Sequence, residues 1–164
     1  MKWRKNKMEV RVLFICLGNI CRSPMAEAIF RDLVKKEKLQ DHITCDSAGT
    51  GGWHTGNPPH QGTREILKKN LINDTGILAR QLQIADLDSF DYLIAMDNSN
   101  RENIRLLNEQ LEEIEVHLLM DFAENRVYEE VPDPYYTGNF DEVYKMVTDG
   151  CRGLLRSIRN KYHL

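Results

Sequence analysis

At 164 residues the chain is about one domain long and can bury a sizeable core, and its 41% hydrophobic and 29% charged residues are ordinary globular composition. A net charge of -3, with no basic stripe beyond the first seven residues, argues against a general nucleic-acid binder. No apolar run approaches the roughly 18 residues that a membrane span requires.

The opening segment Met1-Lys2-Trp3-Arg4-Lys5-Asn6-Lys7 is basic like the first part of a signal peptide. The apolar run after it is only about six residues and lacks a small-residue cleavage site. Residues 1–8 are therefore expected as a disordered tail, ahead of one domain over 9–164. Val10-Arg11-Val12-Leu13-Phe14-Ile15 reads as a central parallel strand, rich in β-branched and aromatic residues.

Next comes Cys16-Leu17-Gly18-Asn19-Ile20-Cys21-Arg22-Ser23, in which five residues separate a thiol from a guanidinium. Gly18 and Asn19 are the residue types that best tolerate left-handed backbone. Ser23 followed by Pro24 predicts an N-cap and a first helical position, and Ala26, Ile29, Phe30 and Leu33 continue at helical spacing to about residue 37. A strand-to-helix loop of this kind converges free N–H groups with the positive end of a helix dipole, which suits a phosphate dianion. Arg22 can grip two phosphate oxygens through its planar fork. The same field favours the thiolate of Cys16, a nucleophile for phosphoryl transfer. Alone, Cys16 would read as a small buried apolar residue ending a strand; with Arg22, Gly18, Asn19 and the helix start beside it, the nucleophile is the better reading. An ATP-binding loop is excluded, because Gly-Lys-Ser/Thr is missing.

Ile43–Ala48 predicts a second strand, running into Gly49-Thr50-Gly51-Gly52-Trp53, where Trp53 on general grounds would cap the core. Pro58-Pro59 opens a polar helix through Thr63, Ile66 and Leu67, with Lys68 and Lys69 near its end. Asn73-Asp74-Thr75-Gly76 is a turn, and residues 78–87 read as a loop with a short helix. Phe90–Met96 is a third strand, after which Asp97, a cap first and a site residue second, starts a helix through Leu106 and Leu107. Ile114–Leu119 is a fourth strand, followed by a long loop to about Gly138. The last helix carries Val143, Val147, Cys151, Leu154 and Ile158 on one face. The four cysteines, Cys16, Cys21, Cys45 and Cys151, show no metal-ligand spacing and read as reduced thiols of a cytoplasmic protein.

Alternating strands and helices imply an α/β fold, a parallel sheet covered on both faces with ligands at the carboxyl ends of its strands. That rim collects Cys16, Trp53 and the segment Val131-Pro132-Asp133-Pro134-Tyr135-Tyr136. Asp133, held between two prolines, is the best candidate for the acid that protonates a leaving oxygen. Without the Cys16 loop, Pro-Asp-Pro would be merely a turn. Trp53, Tyr135 and Tyr136 can wall a slot for a flat ring.

The Cys16–Ser23 loop, Ser47-Ala48-Gly49-Thr50, Ala95-Met96-Asp97 and the late Asp133-Pro134-Tyr135-Tyr136 together resemble a bacterial-type low-molecular-weight protein tyrosine phosphatase, over nearly the whole chain from about Met8. The resemblance implies a single-domain, four-stranded parallel sheet flanked by helices and a reaction without metal or other cofactor. Cys16 would attack phosphorus while the amides of residues 17 to 22 (Leu17, Gly18, Asn19, Ile20, Cys21 and Arg22) and the Arg22 side chain hold the equatorial oxygens. Asp133 would protonate the leaving oxygen and then activate water. Ser23 would donate to the Cys16 thiolate, and Asn19 would brace the loop against Ser47. Cys21 matches a position that can form a reversible disulfide with Cys16, shielding it from irreversible oxidation. One peroxide-induced intramolecular disulfide is the expected result; loss of activity with both thiols free or over-oxidised would contradict it. Some relatives brace the loop through a His-x-Ala-Arg segment, whereas Leu78-Ala79-Arg80 stands here.

The expected substrate is a phosphotyrosine-containing protein, taken by a monomer without nucleic acid or membrane. Three alternatives remain. Thioredoxin-coupled arsenate reductases share the loop but need further cysteines downstream, and none lies between Cys45 and Cys151. Protein-arginine phosphatases share the fold, although Ile20 with Trp53, Tyr135 and Tyr136 suits an aryl ring better. A non-catalytic phosphoprotein-binding module would need neither Cys16 nor Asp133.

Overall fold

A computed structural model describes residues 2–4, 7–108 and 114–164. Four strands run parallel: β2 (Lys7–Cys16), β3 (Ile43–Gly49), β4 (Tyr92–Ala95) and β5 (Val116–Leu118), in the spatial order β3-β2-β4-β5. The expected parallel sheet is thus present, with one addition: β1 (Lys2–Arg4) pairs antiparallel with the start of β2, Lys2 opposite Glu9 and Arg4 opposite Lys7. The physical reason lies in β2 itself. It pairs with β3 only from Val10 and with β4 only from Val12, so its first residues offer open backbone that β1 takes up. The disordered tail expected over residues 1–8 is corrected accordingly at 2–4 and 7–8; Met1, Lys5 and Asn6 lie outside the described residues.

β2 is covered on both faces, which explains its continuous apolar run. Val10, Val12, Phe14 and Cys16 enter one core cluster, filled from helices α1 (Arg22–Lys36) and α6 (Phe140–Tyr162), which pack against each other. Leu13 and Ile15 enter a second cluster with Leu93, Val116 and Ile104, the last from α4 (Asn98–Leu107). The face predicted for the last helix, Val143 to Ile158, is buried throughout. α6 comes so close to the 3-10 turn Leu119–Phe122 that a Cβ at Gly153 would sit 1.7 Å from the Phe122 carbonyl oxygen.

Among the described residues, three further helices are α2 (Gln61–Lys69), α3 (Ile84–Ser89) and α5 (Pro134–Thr137). Two predicted starts shift. Pro58-Pro59 precede α2, which is capped by the His60 ring nitrogen accepting from Gly62 N–H at 3.0 Å. α1 begins at Arg22 with Cys21 as N-cap, so Ser23 is not the cap; its hydroxyl is engaged elsewhere. Pro24 still falls in the first turn, where its missing N–H costs nothing.

Candidate active site

The loop after β2 folds back on itself through one buried amide. Asn19, at φ +56°, takes the left-handed conformation expected of the loop. Gly18 does not; its small size is used instead, since a Cβ there would lie 3.1 Å from the His54 ring. Asn19 Nδ2 donates to Ser23 Oγ at 2.8 Å and to Ser47 Oγ at 2.9 Å, and Asn19 Oδ1 accepts from the Arg80 backbone N–H at 2.9 Å. The segment Leu78-Ala79-Arg80 therefore braces the loop through its main chain, without a histidine. Arg80 is fixed in turn by Asp46 and Asp86. Ser23 Oγ lies 3.0 Å from Cys16 Sγ, the pairing that the family resemblance implied.

Arg22 is buried at 2% exposure in a cage of acceptors. Nη1 donates to Asp97 Oδ2 at 2.6 Å and to the Val131 carbonyl at 3.0 Å, and Nη2 to Asp133 Oδ2 at 3.3 Å. Its Nε is buried and has no partner among the described residues. Burial works against the Arg22 charge; the fields of Cys16, Asp97 and Asp133 outweigh it and hold the pKa above its ordinary value. Asp97 caps α4 through Oδ1, which accepts from Asn100 N–H at 2.7 Å, while its other oxygen aims Arg22. One carboxylate thus serves both roles.

Asp133 is likewise divided. Oδ1 caps α5 by accepting from Tyr135 N–H at 3.1 Å, leaving Oδ2 to face Arg22. Val131 anchors the Pro-Asp-Pro loop to the end of β4 by donating to the Met96 carbonyl at 2.9 Å. Proline on either side of Asp133 restricts the backbone, so the carboxyl is presented from a stiff support.

These groups meet at a cleft of about 250 Å³. Cys16, Leu17, Gly18, Ile20, Cys21 and Asp133 line it, with Trp53, Tyr135 and Tyr136 as walls. Asn19, Arg22 and Ser23 are buried at the loop's core. Trp53 does not cap the core: it is 72% exposed and stands at the mouth. His54 also lines the cleft and was not anticipated; its only sequence signal is its place beside Trp53 in the loop after β3.

The family described as low molecular weight phosphotyrosine protein phosphatase matches residues 11–164. The chain belongs to this family. It is 53% identical over 155 residues to the low molecular weight protein-tyrosine-phosphatase YfkJ of Bacillus subtilis, covering 94% of this chain and 99% of the relative. The crystal structure of YfkJ superposes with a TM-score of 0.91 at 52% identity, covering 94% of this chain and 98% of that one. PtpA of Staphylococcus aureus is 47% identical over 89% of this chain and 92% of its own. A Drosophila arginine phosphatase structure matches at TM-score 0.82 and 35% identity, over 90% and 97% of the two chains.

The cysteines of this phosphatase divide by environment. Burial, then the charges of Asp133 and Cys16, push the Cys21 thiol up to about 12, so it stays protonated near neutral pH. Burial raises Cys45 and Cys151 as well, and both sit against main-chain carbonyls, of Glu27 and Ala26. Cys16 and Cys21 both line the cleft, and of the two it is Cys16 that has the Ser23 hydroxyl 3.0 Å from its sulfur.

Proposed function

We propose that this phosphatase hydrolyses phosphotyrosine in proteins, and small aryl phosphates, through a phosphocysteine intermediate on Cys16. The observation that carries the reading is the convergence of Cys16, Arg22 and Asp133 at one apolar-walled cleft, with Ser23 against the sulfur. Cys16 Sγ attacks phosphorus, and the P–O bond to the leaving phenoxide breaks. The loop amides from Leu17 to Arg22 and the Arg22 fork, its Nε unpaired and its Nη2 shared with Asp133, hold the equatorial oxygens. Asp133 gives its proton to the phenoxide and next, as carboxylate, takes one from the water that attacks phosphocysteine. Cys16 then leaves as thiolate, eased by the hydrogen of Ser23. Reduced thiols and a cytoplasmic setting accord with this chemistry, because a free Cys16 is its first requirement. Among the described residues no helix is long and apolar enough to cross a membrane.

Ile20, Trp53, Tyr135 and Tyr136 favour an aryl ring in the cleft. The second reading, phosphoarginine hydrolysis, is favoured by the likeness to the Drosophila arginine phosphatase and by the ability of aromatic walls to stack on a guanidinium. The test is kcat/KM for phosphotyrosine against phosphoarginine peptides, without added metal and with Cys16→Ser as the blank. The aryl reading requires phosphotyrosine to win by about tenfold or more, roughly 1.4 kcal/mol of transition-state preference. A phosphoarginine preference would transfer the same mechanism to the other substrate.

A further inference from the structure

Glu27 is a carboxylate on the core side of α1, 8% exposed, and the mechanism above makes no use of it. Its Oε1 accepts the Ser47 hydroxyl at 2.6 Å, and it makes no ion pair among the described residues. The groups facing it are Asp46 and Cys45 on β3, Arg31 on its own helix and Arg80 in the loop before α3. Both arginines are committed elsewhere, Arg31 to the Asn73 carbonyl and Arg80 to Asp46 and Asp86.

The hydrogen bonds around Glu27 have a direction. Arg80 N–H can only donate, so it fixes Asn19 with Oδ1 toward it and Nδ2 toward the two serines. Ser47, having received from Asn19, needs an acceptor for its own hydrogen, and Glu27 is that acceptor. Ser23, having also received from Asn19, turns its hydrogen to Cys16. If the Asn19 amide flipped, Ser23 would donate to Oδ1 and the sulfur would lose its donor. We propose that Glu27 is a positioning residue for the nucleophile: as an acceptor it holds the Ser47 hydroxyl, and through Asn19 it keeps Ser23 donating to Cys16. The inference rests on the reading of Cys16 as the nucleophile.

Burial, against the opposing pull of the Ser47 hydrogen bond, raises the Glu27 carboxyl to about 7, so both of its states are available near neutral pH. A carboxylate can only accept, whereas a protonated carboxyl can also donate toward Ser47 and release the constraint.

The test is the pH profile of iodoacetate alkylation at Cys16, read by peptide mass, in the wild type, Glu27→Gln and Glu27→Met. Glu27→Met, which has no acceptor of comparable strength, should move the midpoint up by about half a pH unit or more. Glu27→Gln, whose amide can accept the Ser47 hydrogen but can also donate as the protonated carboxyl does, should move it in the same direction by a smaller amount. An unmoved Glu27→Met midpoint, or Glu27→Gln displaced as far as Glu27→Met, would overturn the proposal. Should Glu27→Met fail to fold, Ser47→Ala deletes this hydrogen bond and with it the one from Asn19. Its midpoint must then rise, and Glu27→Gln, which moves the midpoint in the wild-type background, must change nothing further when added to it; any other result contradicts the assignment. Because alkylation needs no substrate, a normal profile without turnover would count against the proposed function and not against Glu27.

Discussion

Asn19, Arg22 and Ser23 are 1, 2 and 0% exposed, whereas Trp53, Tyr135 and Tyr136 around the same cleft are 72, 54 and 75% exposed. The Cys16 side is internal: every side-chain nitrogen and oxygen of the loop except Arg22 Nε has a partner among the described residues, and those partners come from β3, α1, the cap of α4, the segment before α3 and the loop at Val131 and Asp133. The wall is external: Tyr135 and Tyr136 meet edge-on at 5.2 Å, and Tyr135 also meets the His60 ring at 6.0 Å. Asp133 stands between the two, its Oδ2 toward Arg22 and its Oδ1 on the tyrosine turn. The difference assigns chemistry to the buried half and substrate choice to the exposed half. A preorganised loop stabilises charge without rearranging at the moment of reaction, while exposed rings can be exchanged at small cost to the fold.

The sharpest break between the halves is Cys16→Ser, which should lower kcat by roughly 10⁴-fold or more while leaving phosphate binding and melting temperature nearly intact. Asp133→Asn keeps one acceptor oxygen, enough for the cap on α5, but replaces the oxygen facing Arg22 by an NH2 and removes the acid, so kcat for poor phenol leaving groups should fall by about 10² to 10⁴. Leaving groups that need no proton should lose far less in the first step, which a leaving-group series would show.

Glu27 gives the buried half a pH signature in stability. Its carboxyl, ordinarily near 4.5, is raised to about 7 in the folded protein, chiefly by burial. The protonated form is therefore favoured by folding; that contribution is complete below pH 4.5 and is lost as pH climbs through 7. Glu27→Gln, which cannot titrate, should gain on the wild type by about 2 kcal/mol between pH 5 and pH 8, measured by denaturant unfolding at both values. A constant difference would mean that Glu27 is not held near neutrality. Trp53→Ala should have the smallest effect, raising KM for phosphotyrosine peptides about tenfold with kcat and stability little changed.

Much of this was legible in the chain because it is local. The β-branched run, the Cys-to-Arg spacing and the helix periodicity fix β2, the loop and α1 within 30 residues of one another, whereas Pro-Asp-Pro by itself reads as a turn and gains a further role only beside the Cys16 loop. Arg22 to Asp97 was only half legible: the cap at Asp97 is a local signal, but its second oxygen meets a residue 75 positions away. Glu27 left a fainter trace, a carboxylate in line with Ser23, Phe30 and Val34 on the buried face of α1, where a leucine would be expected. Its partner Ser47 lies on another strand, and no spacing rule connects them. The short strand β1 escaped for a similar reason, since its basic residues read as tail until the open edge of β2 is in view.

Whether the buried loop carries phosphate covalently on Cys16 is answered by quenching turnover of a phosphotyrosine peptide with acid and mapping the phosphate by mass spectrometry. The expected result is a phosphate on Cys16, transient in the wild type with the peptide and accumulating in Asp133→Asn with an aryl phosphate whose leaving group needs no proton, because that variant lacks the base for the second step. Product release with no phosphate on Cys16 at any time in either protein would mean that water attacks the substrate directly, and the assignment of Cys16 as nucleophile would be wrong.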